Sequence, residues 1–192
     1  NVSIILAIVW EQNMNYAIII TVYYETVNTL KLCRRLCELG ADNIVIVNDG
    51  AKLSEQYSAE IISMGCHVIN LAKNEGKGAS LKAGIRYAHK KSYNIKGFIT
   101  VDSDGQHSAE DVIKVAHAMN LRPDTLVLGK RDMRKASTPF RIRLGNKISS
   151  AYFKVITGVS CKDTQTGLRG IPNSLYELAI STKGNRFDYD MN

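Results

Sequence analysis

The chain has 192 residues, 45% of them hydrophobic and 22% charged, with 3 prolines, 14 glycines and 4 cysteines. That length and apolar share suit one domain with a sizeable core and exclude disordered, collagen-like and disulfide-stapled chains. No run of about 18 apolar residues is present to span a bilayer. The formal charge of +7 leaves nucleic acid, anionic lipid and phosphate-bearing substrates open as partners.

The chain begins at Asn1 rather than Met and stops at Asn192 without a helix-ending signal, so it is expected to be a piece of a longer protein. Residues 4–9 are apolar but too few for a membrane span, and they lack the basic flank of a signal peptide. Residues 1–16 stay unassigned. From there two kinds of segment alternate. Continuous apolar runs at 17–23, 43–47, 67–71, 97–101 and 125–128 predict strands covered on both faces, hence a parallel sheet. Helical patterns lie between them. One covers 29–39 and ends at Gly40; the next runs from an N-cap at Ser54 to Gly65. A third covers 79–91, and a fourth runs over 108–119 with Ser108 as N-cap and Glu110 and Asp111 in its first turn. The order predicts a three-layer α/β/α domain with a mostly parallel central sheet. A longer helix over 140–156, an irregular stretch and a last helix over 174–180 complete the pattern.

Cys33 and Cys37 stand one helical turn apart on an apolar face, as small buried hydrophobes would. Cys66 and Cys161 are isolated, so neither zinc-type spacing nor a disulfide framework is present, and a reducing, cytosolic setting is expected.

In open parallel sheets ligands bind beyond the carboxyl ends of the strands. Four consecutive strands end here in polar residues: Glu25, Asn48-Asp49-Gly50, residues 73–78, and Asp102-Ser103-Asp104. Asn74-Glu75-Gly76-Lys77-Gly78 fits neither a Walker A loop nor a dinucleotide fingerprint. It remains a Gly-rich turn opening a helix, with a Lys available to an anion, or a plain turn. Asp102–His107 places two carboxylates on either side of a small residue, followed by Gly105 and Gln106. Hard oxygens so spaced suit Mg2+ or Mn2+ carrying a diphosphate; the bland alternative is an Asx turn capping the helix at Ser108. His107 reads as a supporting or surface side chain rather than a ligand.

Between residues 126 and 154 lie Lys130, Arg131, Arg134, Lys135, Arg141, Arg143, Lys147 and Lys154 against the single acid Asp132, so this segment holds the whole +7 excess. Such a run can be a solvated face, but guanidinium groups also grip phosphate bidentately. Asp163–Gly170 forms a polar, glycine-containing loop between apolar segments, and by itself could be a hairpin turn.

Taken together, Val22-Tyr23-Tyr24-Glu25, Val47–Gly50, Asn74–Gly78, Asp102–His107, Gly129-Lys130-Arg131, Asp163–Gly170 and 186–192 resemble family 2 glycosyltransferases of the GT-A, nucleotide-diphospho-sugar transferase type. The resemblance spans 17–192 as one catalytic domain, truncated at its C-terminus, and is closest to the branch that moves sugars onto polyprenyl or dolichyl phosphate. It implies that Tyr23, Glu25, Asp49, Lys77, Asp102 and Ser103 bind the nucleotide-sugar. It implies that Asp102, Asp104 and Gln106 hold Mg2+ or Mn2+, and that Arg131, Arg143 and Arg169 hold the acceptor phosphate. Thr21-Val22 stand where the family's first strand ends in Pro, so either Tyr23 or Tyr24 takes the place of the family tyrosine. The Gln-x-x-Arg-Trp signature of processive synthases is absent, which points to transfer of a single sugar.

The implied reaction is inverting transfer from a UDP- or GDP-sugar to a polyprenyl phosphate, for cell-envelope or surface glycans, at the inner face of the membrane. A lipid phosphate needs no general base; were one needed, Asp163 is the candidate. Alternatives are transfer to a sugar hydroxyl of a polysaccharide, a nucleotidyltransferase, and a basic nucleic-acid-binding module. A nucleotidyltransferase would carry a Gly-rich first turn where Tyr23-Tyr24-Glu25 stands. Nucleic acid is disfavoured, because only Phe140, Tyr152 and Phe153 interleave with the basic cluster.

Overall fold

The computed structural model describes residues 15–92, 94–130, 154, 158, 163 and 166–184. Along the chain these form β1 (Tyr16–Val22), α1 (Val27–Glu38), β2 (Ile44–Asn48), α2 (Glu55–Ser63), β3 (His67–Asn70), α3 (Lys77–Lys91) and β4 (Gly97–Asp102). Then come α4 (Ala109–Leu121), β5 (Val127–Leu128), β6 (Arg169–Pro172), a 3-10 turn (Asn173–Leu175) and α5 (Tyr176–Ser181). The strands form one sheet in the order β3-β2-β1-β4-β6-β5. β1 pairs in parallel with β2 and β4, and β2 with β3, whereas β6 runs antiparallel to both β4 and β5.

The apolar runs are strands because both of their faces are covered. In β1, Tyr16, Ile18, Ile20 and Val22 pack with Leu32, Cys33 and Leu36 of α1, Tyr57 and Ile61 of α2, and Val112, Ile113 and Met119 of α4. Ala17 and Ile19 point the other way, to Leu81, Ile85 and Ala88 of α3 and Ala179 of α5. Alternation by period two thus feeds two cores, and the result is the three-layer α/β/α architecture expected from the pattern. Truncating a fully buried isoleucine such as Ile18 or Ile19 to Ala costs about 2–5 kcal/mol.

The helix starts follow their caps. Ser54 Oγ accepts from the Tyr57 amide at 3.2 Å. Ser108 and Asp111 form a reciprocal capping box, amide to side chain in both directions, at 3.2 and 3.3 Å. Burial works to raise the Asp111 carboxyl, but hydrogen bonds from Lys114 and Ser108 outweigh it and hold the group below the usual aspartate range. α1 begins earlier than its apolar periodicity suggests, because Thr26 Oγ1 caps the Thr29 amide at 3.1 Å. Gly40 and Gly65 take the left-handed conformation just after α1 and α2, as their positions predict.

Three expectations change. The stretch expected to be irregular after residue 156 contains β6, which inserts between β4 and β5. Its sequence Arg-Gly-Ile-Pro carries no strand alternation; tertiary packing makes it a strand, with Gly170 against Val115 and Met119 and Ile171 against Gly97. The last helix begins with a 3-10 turn and is regular only over Tyr176–Ser181. Cys66, isolated in sequence, is folded beside Cys33 and Cys37, and all three are free thiols. Burial and the neighbouring Cys66 push the Cys37 thiol up to about 11; a hydrogen bond with Cys33 and burial push Cys66 upward as well. The expected helix over 140–156 lies outside the described residues apart from Lys154. Among the described residues, no helix is long and apolar enough to cross a membrane.

Candidate active site

From β1 the sheet extends one way to β2 and β3 and the other way to β4, so the carboxyl ends of β1 and β4 mark the point where strand order reverses. All four polar strand ends of the parallel half lie on this edge, and they are tied to one another. Glu25, after β1, accepts through Oε1 from the amide of Ser54 in the loop after β2. Asp49, after β2, is buried and reaches the loop after β3. Its Oδ1 accepts from the Glu75 amide at 2.8 Å and its Oδ2 from the Gly76 amide at 3.0 Å. A carboxylate there also faces the positive end of α3, which opens at Lys77. Gly50 follows at φ +73°, and a Cβ on it would lie 2.2 Å from the backbone carbon of Lys73, so the two loops touch main chain to main chain.

Lys77, the first residue of α3, forms an ion pair with Asp102 at the end of β4. This contact crosses over β1 and brings the Gly-Lys-Gly turn to the Asp-x-Asp turn, a pairing that spacing alone could not reveal. Asp104 is exposed. Its Oδ1 accepts from the Gln106 backbone amide at 2.9 Å and its Oδ2 from the Gln106 side-chain nitrogen at 2.6 Å. The turn rests on α1: Asn28 Nδ2 donates to the Asp104 carbonyl at 3.2 Å. Asn28 escaped the sequence reading, since a lone Asn in a first helical turn carries no ligand pattern.

The loop before β6 closes over the same place. A Cβ on Gly167 would lie 1.9 Å from Asp102 Oδ2, so only a glycine lets the chain pass flat against that carboxylate. Thr100 Oγ1 donates to the Gly167 carbonyl at 2.9 Å. Arg169 sits opposite Thr100 in the antiparallel β4–β6 register, and its Nε donates to the Thr166 carbonyl at 3.0 Å. The fold therefore brings Arg169 next to the strand that delivers Asp102. Asp163 is buried, at 3% exposure. His107, at 5% exposure, is a buried supporting group whose Nε2 lies 3.3 Å from Thr166 Oγ1. Tyr23 and Tyr24 stand exposed just after β1, edge to face with centroids 6.5 Å apart. Arg131 and Arg143, with most of the basic segment, lie outside the described residues.

A divalent cation fits the donor chemistry in a particular way. Asp102, Asp104 and Gln106 offer hard carboxylate and amide oxygens, the kind that Mg2+ and Mn2+ prefer. No group of three acidic, His or Cys side chains able to hold a metal occurs among the described residues. With only two carboxylates, the site suits a cation whose remaining ligands are diphosphate oxygens and water. Lys77 on Asp102 holds a positive charge at the same spot.

Residues 17–177 match the model of "Glycosyl transferase family 2". An uncharacterized protein of Methanocaldococcus jannaschii is 32% identical over 157 residues, covering 79% of this chain and 61% of that protein. The UDP-N-acetylglucosamine–dolichyl-phosphate N-acetylglucosaminyltransferase of Methanococcus voltae is 25% identical over 190 residues, 89% of this chain and 75% of that enzyme. Among solved structures, glucosyl-3-phosphoglycerate synthase from Mycobacterium tuberculosis, crystallised with Mn2+, UDP-glucose and phosphoglyceric acid, superimposes with a TM-score of 0.63 at 13% identity. That match covers 91% of this chain and 65% of the synthase, and shows a shared GT-A fold. The chain thus spans 61%, 75% and 65% of the length of these three proteins.

Proposed function

The chain belongs to glycosyl transferase family 2, and on that premise we propose that it moves one sugar from a UDP- or GDP-sugar to a polyprenyl phosphate at the cytoplasmic face of a membrane, in the making of cell-envelope or surface glycans. One observation carries the reading: Glu25, Asp49, Lys77, Asp102 and Asp104 converge on the edge where strand order reverses, with Arg169 on the adjoining strand. The dolichyl-phosphate transferase of Methanococcus voltae supports the lipid phosphate as acceptor.

Tyr23, Glu25 and Asp49 border the base and ribose, and Lys77 with Ser103 lies toward the sugar diphosphate. Asp102, Asp104 and Gln106 would hold a divalent cation, which when bound neutralises charge on the departing diphosphate. Arg131, Arg143 and Arg169 take the acceptor phosphate, for which a planar guanidinium is well shaped. An ionised phosphate oxygen attacks C1 of the sugar. The bond from C1 to the β-phosphate oxygen breaks, its electron pair leaves on the nucleoside diphosphate, and configuration at C1 inverts. A phosphate monoester has its second pKa near 6, so the attacking oxygen carries no proton at neutral pH. Positioning and charge neutralisation supply the rate. A hydroxyl acceptor would need a base, and Asp163 is the side chain for that role.

The test is incubation of the full-length protein, with membranes, with UDP- and GDP-sugars, polyprenyl phosphate and Mn2+ or Mg2+. Formation of a sugar–phosphate–lipid that is lost in Asp104→Ala supports the reading. Absence of that product in the native protein, or unchanged turnover in the variant, overturns it.

A further inference from the structure

We propose that Thr166 is a positioning residue that holds Arg169 in register with the Asp-x-Asp turn, acting through His107. The inference rests on the acceptor role assigned to Arg169 above and extends it to a residue with no place in that assignment.

Thr166 is fully buried, and its hydroxyl and its carbonyl are engaged by different parts of the site. Its hydroxyl lies 3.3 Å from His107 Nε2, across 59 residues of sequence, and accepts from the Leu168 amide at 3.2 Å. Its carbonyl accepts from Arg169 Nε at 3.0 Å. His107 follows Gln106 directly and precedes Ser108, the cap of α4, so its backbone belongs to the turn that carries Asp104. The path from the Asp-x-Asp turn to Arg169 thus runs through two side chains, His107 and Thr166, and the Thr166 carbonyl.

A valine would fill the volume of a buried threonine. A hydroxyl bonded to an imidazole and an amide does more than fill space, because an unpaired buried polar group is costly. The next residue makes the coupling stiff. Gly167 lies flat on the Asp102 carboxylate, and its carbonyl is held by Thr100, so the loop has no slack against β4. With Arg169 also fixed by its strand pairing to β4, the bond from its Nε to the Thr166 carbonyl contributes to the direction in which its guanidinium leaves the sheet. Thr166 touches neither donor nor acceptor; it acts by aiming a group that does.

The experiment compares native full-length protein with Thr166→Val, Thr166→Ser and His107→Phe, measuring transfer to polyprenyl phosphate in detergent and, by calorimetry, UDP binding in Mn2+. Expected for Thr166→Val is a roughly tenfold rise in acceptor KM, equivalent to about 1.4 kcal/mol, with UDP affinity within about twofold of native. His107→Phe gives the same split, and the double variant adds little to either single change, as for groups on one path. Thr166→Ser keeps the hydroxyl and restores acceptor KM to within about threefold of native, which a purely volumetric role would not do. The inference falls if native protein transfers sugar and Thr166→Val leaves acceptor KM unchanged, or if UDP affinity falls as far as acceptor affinity. It also falls if Ser does no better than Val. Native protein that transfers no sugar to polyprenyl phosphate marks a different failure, that of the acceptor assignment itself, and removes this inference with it.

Discussion

The two halves of the sheet build their parts of the site differently. On the parallel side, β3-β2-β1-β4, each strand runs straight into a polar loop, and the loops fasten to one another: Glu25 to Ser54, Asp49 to Glu75 and Gly76, Lys77 to Asp102. On the antiparallel side, β6 is threaded between β4 and β5, and its ties are long in sequence, 67 residues from Thr100 to Gly167 and 59 from His107 to Thr166. Repeated βα units assemble the part of the site proposed to bind the donor, whereas a single strand inserted late in the chain joins to it the part proposed to bind the acceptor. The first should tolerate changes to the second, and the reverse should hold less well, because Gly167, just before β6, rests on Asp102.

The largest expected effect tests the parallel side alone. Asp104→Ala should lower the transfer rate by roughly 10²–10³-fold, the scale for losing one preorganised electrostatic group, while the exposed position leaves thermal unfolding unchanged. A parallel fall in melting temperature would mean that the turn is structural. Next, Asp49→Ala should destabilise by about 1–3 kcal/mol in urea unfolding, since it strips the acceptor from two loop amides, and Asp49→Asn should recover part of that loss. Gly167→Ala probes the junction. Its Cβ overlaps Asp102, so it should cost about 1–3 kcal/mol and depress donor and acceptor binding together, unlike any change within one half.

The smallest effects sit in the scaffold behind the Asp-x-Asp turn. Ser108→Ala removes one arm of the capping box and should cost about 1 kcal/mol. Because the Asp111 carboxyl is held below its ordinary value by Lys114 and Ser108, its contribution is present above the unfolded aspartate pKa of about 3.9 and is lost as pH falls through the lower folded value. The stability gap between native protein and Asp111→Asn should therefore be full at neutral pH and close on acidification below pH 4, as read by melting curves across that range.

Much of the parallel half was legible in the residues. Runs such as Ile18-Ile19-Ile20 announce a strand buried on both faces, and Ser54 and Ser108 mark helix starts by chemistry that acts within four residues. The Asp-x-Asp turn was legible for the same reason: its spacing is local. β6 was not, since Gly170 and Pro172 disfavour a strand and only packing against Met119 and Gly97 makes one. Cys66 was not either, because its meeting with Cys33 and Cys37 depends on how α1 lies against the sheet.

From the chain alone follow the α/β class, the helix caps and the order of polar strand ends, because each rests on periodicity or on contacts a few residues apart. The fold had to supply the meeting of Lys77 with Asp102, the place of Arg169 opposite Thr100, and the burial of His107 against Thr166. Those depend on which strands become neighbours. Strand order is chosen by the packing of whole layers, and no local pattern encodes it.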